Sequence, residues 1–329
     1  MKYTRNAYDL AEEELARRRT EAESERSARI AEISAKAPEI YELHRSLAST
    51  NYSMISLIGK GRSPQEIREQ INQMKEKNLL AQRTVRGMLE SFGYPADYLE
   101  YHYHCENCRD TGYKEGVRCQ CLEKLLTSLT LAELNSQCSI ELRDFSEFRL
   151  DFYPDDPASE VSPRKKMRSV YEYCKSYADG FGDRSHSLFL FGRTGLGKTF
   201  LSSCIARQLL ENGHNVFFGS LLKVLRQIED ERFGRREGAT TDILTEAELV
   251  ILDDLGSEFQ TQFTDAVLYE IINERINSGR PTIISTNLSP RELDKKYNDR
   301  IVSRLTGCFV PVMFIGSDVR QEKRRMGLK

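Results

Sequence analysis

The sequence predicts an α/β protein in which helices flank a parallel β-sheet, preceded by a mostly helical N-terminal module. Two observations predict the sheet. A glycine-rich segment, residues 192–199, lies between a short apolar run and a helical pattern, and further apolar runs alternate with helical patterns downstream. A third observation predicts the module, because residues 1–100 are rich in charged side chains that suit solvated helices.

Composition narrows the class of protein. A length of 329 residues suggests about two domains, and 39% hydrophobic residues are enough for a packed core. A net charge of −2 and a pI of about 6.3 exclude a globally basic nucleic-acid protein, so any such binding must use local patches. The sequence carries no apolar run of membrane length and no signal-peptide core, so we expect no membrane partner and a cytoplasmic location. In that compartment the eight cysteines stay reduced, which favours metal-binding or core roles over disulfides.

Three helices are predicted in the N-terminal module. Acidic residues and arginines alternate over residues 4–36, and Pro38 fits the first position of a second helix, residues 38–58. A capping box at residues 63–66 starts the third helix. Since no residue here suggests chemistry, we expect a binding module whose apolar anchors include Ile67, Ile71 and Met74.

Two close pairs of cysteines predict a metal site in residues 101–125. Four thiolates at this spacing can surround one Zn²⁺ as a closed structural site: Cys105, Cys108, Cys119 and Cys121. His102 or His104 is an alternative ligand beside the first pair. Reduced bystander cysteines are the competing interpretation.

The segment 192–199 reads GRTGLGKT and matches the pattern G-x-x-x-x-G-K-[ST]. Its backbone N–H groups would surround phosphate oxygens at the positive end of a helix, while Lys198 would contact the β- and γ-phosphates. The Thr199 hydroxyl would complete the coordination of Mg²⁺. The pattern therefore predicts a nucleoside triphosphate site formed by Gly192, Thr194, Gly195, Leu196, Gly197, Lys198 and Thr199.

Polar residues follow two later apolar strands. Residues 249–252 end in Asp253 and Asp254; we expect Asp253 to hold Mg²⁺ through water and Asp254 to orient or deprotonate the attacking water. An ordinary turn is the alternative. The strand at 282–285 is followed by Asn287, placed to hydrogen-bond the γ-phosphate or the water, and a polar cap of the strand end is the alternative.

Arg300 and Arg304 lie four residues apart on one predicted helix face. Either could stabilise charge on the γ-phosphate, and delivery to a neighbouring subunit is expected because neither is on the phosphate-binding loop. Surface pairing with acidic residues is the alternative.

Four segments resemble, in order and spacing, the AAA+ ATPase domain of the DnaC/DnaI-type helicase loaders of the IstB/DnaC-like group: GRTGLGKTFLSSCIA, LVILDDLGSE, PTIISTNLS and DRIVSRLTG. The later FIGSDVRQEKRR is also similar, and CENCRDTGY with the following CQC resembles the zinc-bearing N-terminal part of Gram-positive members. The resemblance implies ATP as ligand, Asn287 as sensor, Arg304 as arginine finger and Arg320 as a candidate second sensor. Asp254 departs from the glutamate of many AAA+ proteins, so we expect slow hydrolysis.

These observations predict four segments: a helical module over 1–100, a zinc-binding element over 101–125, a linker over 126–160 and an AAA+ ATPase domain over 161–329. The expected function is an ATP-dependent loader that places a hexameric, DnaB-type replicative helicase on single-stranded DNA and self-associates through its ATPase domain. An IstB-like transposition helper acting on duplex DNA with a transposase is the first alternative. A nucleotide switch with little hydrolysis is the second.

Overall fold

The computed structural model describes residues 3–57, 64–138, 140–155, 162–182, 184–236 and 238–327, without the side chains of 48–57, 64–68, 70, 71, 137 and 138. Part of the predicted capping box at residues 63–66 and the expected anchors Ile67 and Ile71 therefore lie outside the described residues.

The chain divides into two compact units. One contains Met1–Ala11 together with Glu123–Lys329, and the other contains Glu12–Leu122. The first residues join the larger unit through polar contacts, since the Thr4 hydroxyl donates a hydrogen bond of 2.9 Å to Glu133. The domain boundaries expected from the sequence stay a prediction.

Long helices build the unit of residues 12–122. Its core contains Ile33, Ile40, Val85, Leu89 and Leu99. The helices are α1 (Arg5–Lys36), α2 (Pro38–Leu57) and α3 (Pro64–Ser91), followed by a small antiparallel hairpin of β1 (Tyr113–Lys114) and β2 (Val117–Arg118). Within the described residues, the predicted helical character of this part is confirmed.

The larger unit continues from the boundary helix α4 with alternating strands and helices. Two 3-10 turns, Phe145–Glu147 and Leu150–Phe152, precede the sheet. The elements are α4 (Gln120–Cys138), α5 (Pro163–Asp179), β3 (Leu188–Phe191), α6 (Lys198–Glu211), β4 (Val216–Ser220), α7 (Leu221–Arg232), α8 (Thr240–Glu246), β5 (Leu249–Leu255), α9 (Gln262–Asn277), β6 (Thr282–Thr286), α10 (Pro290–Lys296), α11 (Asp299–Cys308), β7 (Val310–Met313) and α12 (Val319–Arg325).

The five strands of this unit form a parallel sheet in the order β4-β5-β6-β3-β7. The chain leaves β3 and passes over β6 and β5 to reach β4, so the strand order reverses at β3. Ligands bind at such a switch point, outside the carboxyl ends of the strands. The predicted fold class, a P-loop sheet flanked by helices after a mostly helical N-terminal part with a cysteine group, is confirmed.

The central strands contain buried apolar runs because helices cover both faces of the sheet. Leu188, Leu190, Val250, Ile251 and Ile283 are almost fully buried. Such strands show no alternation of polar and apolar residues. Within the described parts of the chain, every helix is too short or too polar to cross a lipid bilayer.

Candidate nucleotide-binding site and cysteine cluster

The glycine-rich loop connects β3 to α6, as the motif predicts. Gly197, directly before α6, has a φ of +90°, and a Cβ there would lie 2.9 Å from the Tyr153 hydroxyl. Gly192 has a φ of +143°, and a Cβ there would lie 2.4 Å from the Phe314 carbonyl oxygen. Both positions therefore require glycine, because a side chain would meet both an unfavourable backbone conformation and a close neighbour.

Lys198 begins α6 and lies against the loop. Its Nζ donates hydrogen bonds to the carbonyl oxygens of Gly192 at 2.7 Å and Arg193 at 2.9 Å. Burial lowers the pKa of the Lys198 ammonium group, and the nearby charges of Asp253 and Asp254 oppose that shift. A buried ammonium at the N-terminus of a helix suits contact with phosphate.

Thr199 and Asp253 meet at the carboxyl end of β5. The Thr199 hydroxyl lies 2.8 Å from Asp253 Oδ2 and 3.1 Å from Oδ1. Burial raises the pKa of the Asp253 carboxyl group, while hydrogen bonds from Ser285 and Thr199 lower it. A cation would offset the cost of burying this carboxylate, and a hydroxyl with a carboxylate is a donor set that fits Mg²⁺.

Asp254 and Asn287 also line the cleft above the loop. Asp254 has a φ of +63° and an exposed side chain. The Asn287 amide Nδ2 lies 3.4 Å from the Thr194 hydroxyl, which brings the strand end after β6 to the glycine loop. The predicted loop residues Thr194, Gly195, Leu196, Gly197, Lys198 and Thr199 line the same cleft as Asp253, Asp254 and Asn287.

The cleft has a volume of about 830 Å³, and the 3-10 turns before α5 form part of its wall. Phe148 stacks on Tyr171 at 5.4 Å and on Tyr153 at 5.8 Å between ring centroids. The Tyr153 hydroxyl donates to the Leu196 carbonyl oxygen at 2.9 Å, so this wall is attached to the glycine loop. Apart from the many aromatic residues in this segment, nothing in the sequence predicted that Phe148 and Tyr153 would form a wall of the cleft.

Arg320 lines the cleft from the start of α12. The Val319 N–H donates to the Gly195 carbonyl oxygen at 2.9 Å, and Asp318 accepts the Arg320 N–H at 2.8 Å. The segment before α12 is thus hydrogen-bonded to the phosphate-binding loop. Lys323, one turn along α12, adds a second cation that sequence reasoning missed.

Arg304 has different surroundings. Among the residues that the structure describes, the cleft lining does not include Arg304 or Arg300. The Arg304 guanidinium donates to Asn273 Oδ1 at 2.8 Å and to the Tyr269 hydroxyl at 2.7 Å, and it lies over the Tyr269 ring at 4.4 Å. Arg300 is exposed on the same helix.

The four predicted cysteines meet in the smaller unit. Their sulfur atoms all lie within 4.8 Å of one another, with Cys105 and Cys119 at 3.7 Å and Cys108 and Cys121 at 3.3 Å. Four ligands at about 2.3 Å from Zn²⁺ would be separated by about 3.8 Å, so the arrangement fits tetrahedral zinc.

The surroundings of the cysteines favour this chemistry. The buried Asp110 carboxylate accepts the N–H groups of His104 at 2.8 Å and Cys105 at 3.0 Å, which orders the turn. Hydrogen bonds from the Cys121 backbone and then from Asn107 lower the pKa of the Cys119 thiol to about 6, whereas burial raises the pKa values of the Cys108 and Cys121 thiols. A bound cation would offset the cost of burying those two thiolates. Thiolates are the species that bind zinc.

Neither neighbouring histidine replaces a cysteine within the described residues. His102 is exposed and lies 3.2 Å from Asp97, and His104 is exposed beside the cluster. Among the described residues, the group that could hold a metal ion consists of the four cysteines.

Comparisons with known proteins find similarity to a family of ATP-binding proteins within the larger unit. The model of a family described as IstB-like ATP binding protein matches residues 168–307. Replicative helicase loader DnaC from Escherichia coli K12 is 24% identical over 133 residues, covering 40% of this chain and 54% of DnaC. Replicative helicase loader DnaI from Bacillus subtilis is 26% identical over 136 residues, covering 41% of this chain and 43% of DnaI. The chain thus spans about half the length of the curated relatives it matches.

Two solved loader structures also align. The crystal structure of the DnaC helicase loader is 19% identical, with a TM-score of 0.43, over 52% of this chain and 98% of that chain. The crystal structure of DnaI is 21% identical, with a TM-score of 0.43, over 54% of this chain and 90% of that chain. The family match contains the glycine loop and both carboxylates, and it confirms that residues 168–307 resemble the IstB/DnaC-like ATP-binding group.

Proposed function

We propose that this protein is an ATP-dependent helicase loader that binds a hexameric replicative helicase and assembles it on single-stranded DNA. The observation that carries the proposal is the cleft in which Lys198, the Thr199–Asp253 pair and Asp254 meet, on a segment whose matched relatives are named replicative helicase loaders. The same cleft also suits the transposition helper. Only surfaces outside the cleft can therefore distinguish a helicase loader from that helper.

ATP hydrolysis in this cleft follows the usual division of roles in phosphoryl transfer. Lys198 and the loop N–H groups would bind the phosphates, and Thr199 and Asp253 would hold Mg²⁺, which when bound would neutralise charge on the phosphate oxygens. Asp254 orients or deprotonates the attacking water, and Asn287 contacts the γ-phosphate. The Asp254 side chain is one methylene shorter than the glutamate that many AAA+ proteins have at this position, so we expect slow ATP hydrolysis.

The aromatic wall of the cleft suits the nucleotide base. Phe148 is half-buried, and a Cβ on Gly197 would lie 3.4 Å from its ring, so the ring lies next to the phosphate-binding loop. Bases stack on such rings. Arg320 and Lys323 supply positive charge from α12, and the Lys323 ammonium lies 5.7 Å from the centre of the Phe152 ring on this same side of the cleft.

An exposed patch of aromatic and arginine residues supports binding of single-stranded DNA. Phe233 and Phe259 are 62% and 76% exposed, and the Phe233 ring lies 6.1 Å from that of Phe263. Arg235 lies over Phe233 at 5.5 Å and Arg232 over Phe263 at 5.8 Å. Unpaired bases stack on such rings while arginines contact phosphates. We call these five residues the aromatic–arginine patch.

The patch favours the loader over a helper that acts on duplex DNA. Base faces are covered by their neighbours in a duplex and become available only in single strands. The transposition helper stays the second candidate, because the matching family model carries the description IstB-like.

The smaller unit is proposed to bind the helicase. Leu79 and Leu80 on α3 are 53% and 67% exposed, so their side chains are available for contact with a partner. The cysteine cluster, with one structural Zn²⁺, would stabilise this unit without taking part in catalysis.

The deciding experiment uses the full-length chain as bait against the host's purified replicative helicase, with a transposase as rival prey. We expect the helicase to be retained and Leu80→Asp to reduce its retention. Retention of the transposase alone would contradict the loader function.

A second measurement tests the DNA partner. Phe233→Ala should weaken binding to single-stranded DNA by about 1–3 kcal/mol, roughly 5- to 150-fold, because one stacking platform is lost. Val310→Ala, which changes a partly exposed apolar residue on the edge strand β7, serves as the control. Equal affinity of the wild type for duplex and single-stranded DNA, unaffected by Phe233→Ala, would favour the helper.

A further inference from the structure

Ser285 occupies a central position between the two carboxylate residues. It lies on β6 and is 1% exposed. Its hydroxyl donates a hydrogen bond of 2.6 Å to Asp253 Oδ1 and accepts one of 2.9 Å from the Asp254 backbone N–H. One hydroxyl therefore contacts the side chain of one acid and the backbone of the next.

The backbone around these acids is irregular. Leu252 pairs with Ile284, but the next pair is Leu255 with Thr286, so β5 carries one more residue than β6 across this interval. This is a β-bulge, and Asp254 at its centre has a φ of +63°, which is unfavourable for a residue with a Cβ. The Ser285 hydroxyl accepts the Asp254 N–H that the bulge removes from the strand ladder.

The bulge changes which way the acids face. Successive side chains of a regular strand point to opposite faces of the sheet. A regular β5 would therefore turn one of the two aspartates away from the other. In the structure both line the cleft: Asp253 is buried beside Thr199, and Asp254 is exposed.

We infer that Ser285 is a positioning residue for ATP hydrolysis: its hydroxyl holds the β-bulge that places Asp253 and Asp254 together in the cleft. The inference rests on the proposed ATPase function. Ser285 lines the cleft, but its hydroxyl is engaged by Asp253 and by the Asp254 N–H, so we assign it a role through the proposed metal-binding carboxylate and through the backbone of the residue proposed to activate water. Thr286 supports the same bulge, since its hydroxyl donates to the Leu255 carbonyl oxygen at 2.7 Å.

Steady-state ATPase assays on the full-length chain test the inference. Ser285→Ala should lower kcat about ten- to a hundredfold, as loss of a hydrogen bond to a charged group predicts, and should leave the Kd for ATP within about twofold. The Mg²⁺ concentration for half-maximal activity should rise, because Asp253 is no longer oriented. Ser285→Thr retains the hydroxyl and should restore kcat to within about threefold of the wild type.

The matched control is Ser202→Ala on α6. Ser202 is also fully buried, and among the described residues its hydroxyl has no hydrogen-bond partner. Its removal should leave kcat and the Mg²⁺ requirement unchanged. If Ser285→Ala does not fold, Ser285→Cys decides, because it keeps the side-chain volume and replaces the hydroxyl with a weak donor.

The outcomes separate this inference from the proposed function. A wild type without ATPase activity overturns both. An active wild type with unchanged kcat and Mg²⁺ requirement in Ser285→Ala and Ser285→Cys overturns the positioning role alone. A fall in kcat that Ser285→Thr does not rescue also overturns it, since a hydroxyl would then not be the group that matters.

Discussion

The Lys198 side chain makes hydrogen bonds to the phosphate-binding loop itself. Its ammonium group donates to two loop carbonyl oxygens, Gly192 and Arg193, and is buried by the loop around it. Phosphate oxygens would give this buried charge stronger partners than neutral carbonyls do. We therefore expect bound phosphate to compete with these two carbonyl oxygens for the ammonium group.

Lys198→Ala should weaken ATP binding by about 2–3 kcal/mol, roughly 30- to 150-fold in Kd, because charge-assisted contacts are lost. Isothermal titration calorimetry measures the change. Arg193→Ala is the matched control, since it removes an exposed positive charge from the same loop and should have little effect. Unchanged affinity in Lys198→Ala would remove Lys198 from the phosphate site.

Asp254→Asn should show the opposite behaviour. Its side chain is exposed in the cleft and is assigned to the attacking water, so ATP affinity should be retained while hydrolysis slows, by about a hundredfold or more for loss of a general base. Single-turnover assays separate the two steps. Equal rates for Asp254→Asn and the wild type would favour a nucleotide switch in which hydrolysis has little part.

Site residues that belong to a recognisable sequence motif could be predicted. Site residues whose contacts depend on how two distant strands pair could not. Lys198 and Thr199 follow from the spacing within one loop. Ser285 acquires its contacts only because the pairing of β5 with β6 is irregular at Asp254. A single sequence does not specify which residues of two distant strands are opposite each other.

At the scale of elements, buried central strands were the most predictable. The predicted strand over 188–191 is β3, and the strands expected at 249–252 and 282–285 correspond to β5 and β6, each slightly longer in the structure. The edge strand β7 was not predicted. It contains Pro311, and three of its four residues are exposed, so it lacks a buried apolar run. Proline is tolerated there because an edge strand can leave one N–H group unpaired.

The cysteine cluster predicts that the smaller unit binds zinc. Wild-type protein should contain about one tightly bound Zn²⁺ per chain, and Cys119→Ser should reduce the zinc content and loosen residues 12–122, since metal binding contributes to folding. Metal analysis and hydrogen exchange measure the two effects. Cys308→Ser, which changes an exposed cysteine outside the cluster, should alter neither. A fully folded wild type without metal would contradict the prediction.

At the scale of the whole molecule, we propose that Arg304 completes the active site of a neighbouring subunit. Its guanidinium is held by Asn273 and Tyr269 on α9, and the described cleft lining excludes it. An arginine that stabilises the γ-phosphate must therefore reach the cleft of another subunit, if Arg304 has this role. The contacts with α9 would keep the side chain ordered until that subunit binds.

Mixing two inactive variants tests this arrangement. Lys198→Ala chains keep Arg304, and Arg304→Ala chains keep Lys198, so about a quarter of randomly formed head-to-tail interfaces would combine one intact group of each kind. We expect the mixture to regain ATPase activity that neither variant has alone, in proportion to those interfaces. Arg300→Ala lies one turn earlier on α11 and is the matched control: if Arg304 is the finger, Arg300→Ala stays active by itself. Absence of complementation at concentrations where the variants demonstrably associate would place Arg304 among surface ion-pairing residues and would leave each cleft to work within one chain.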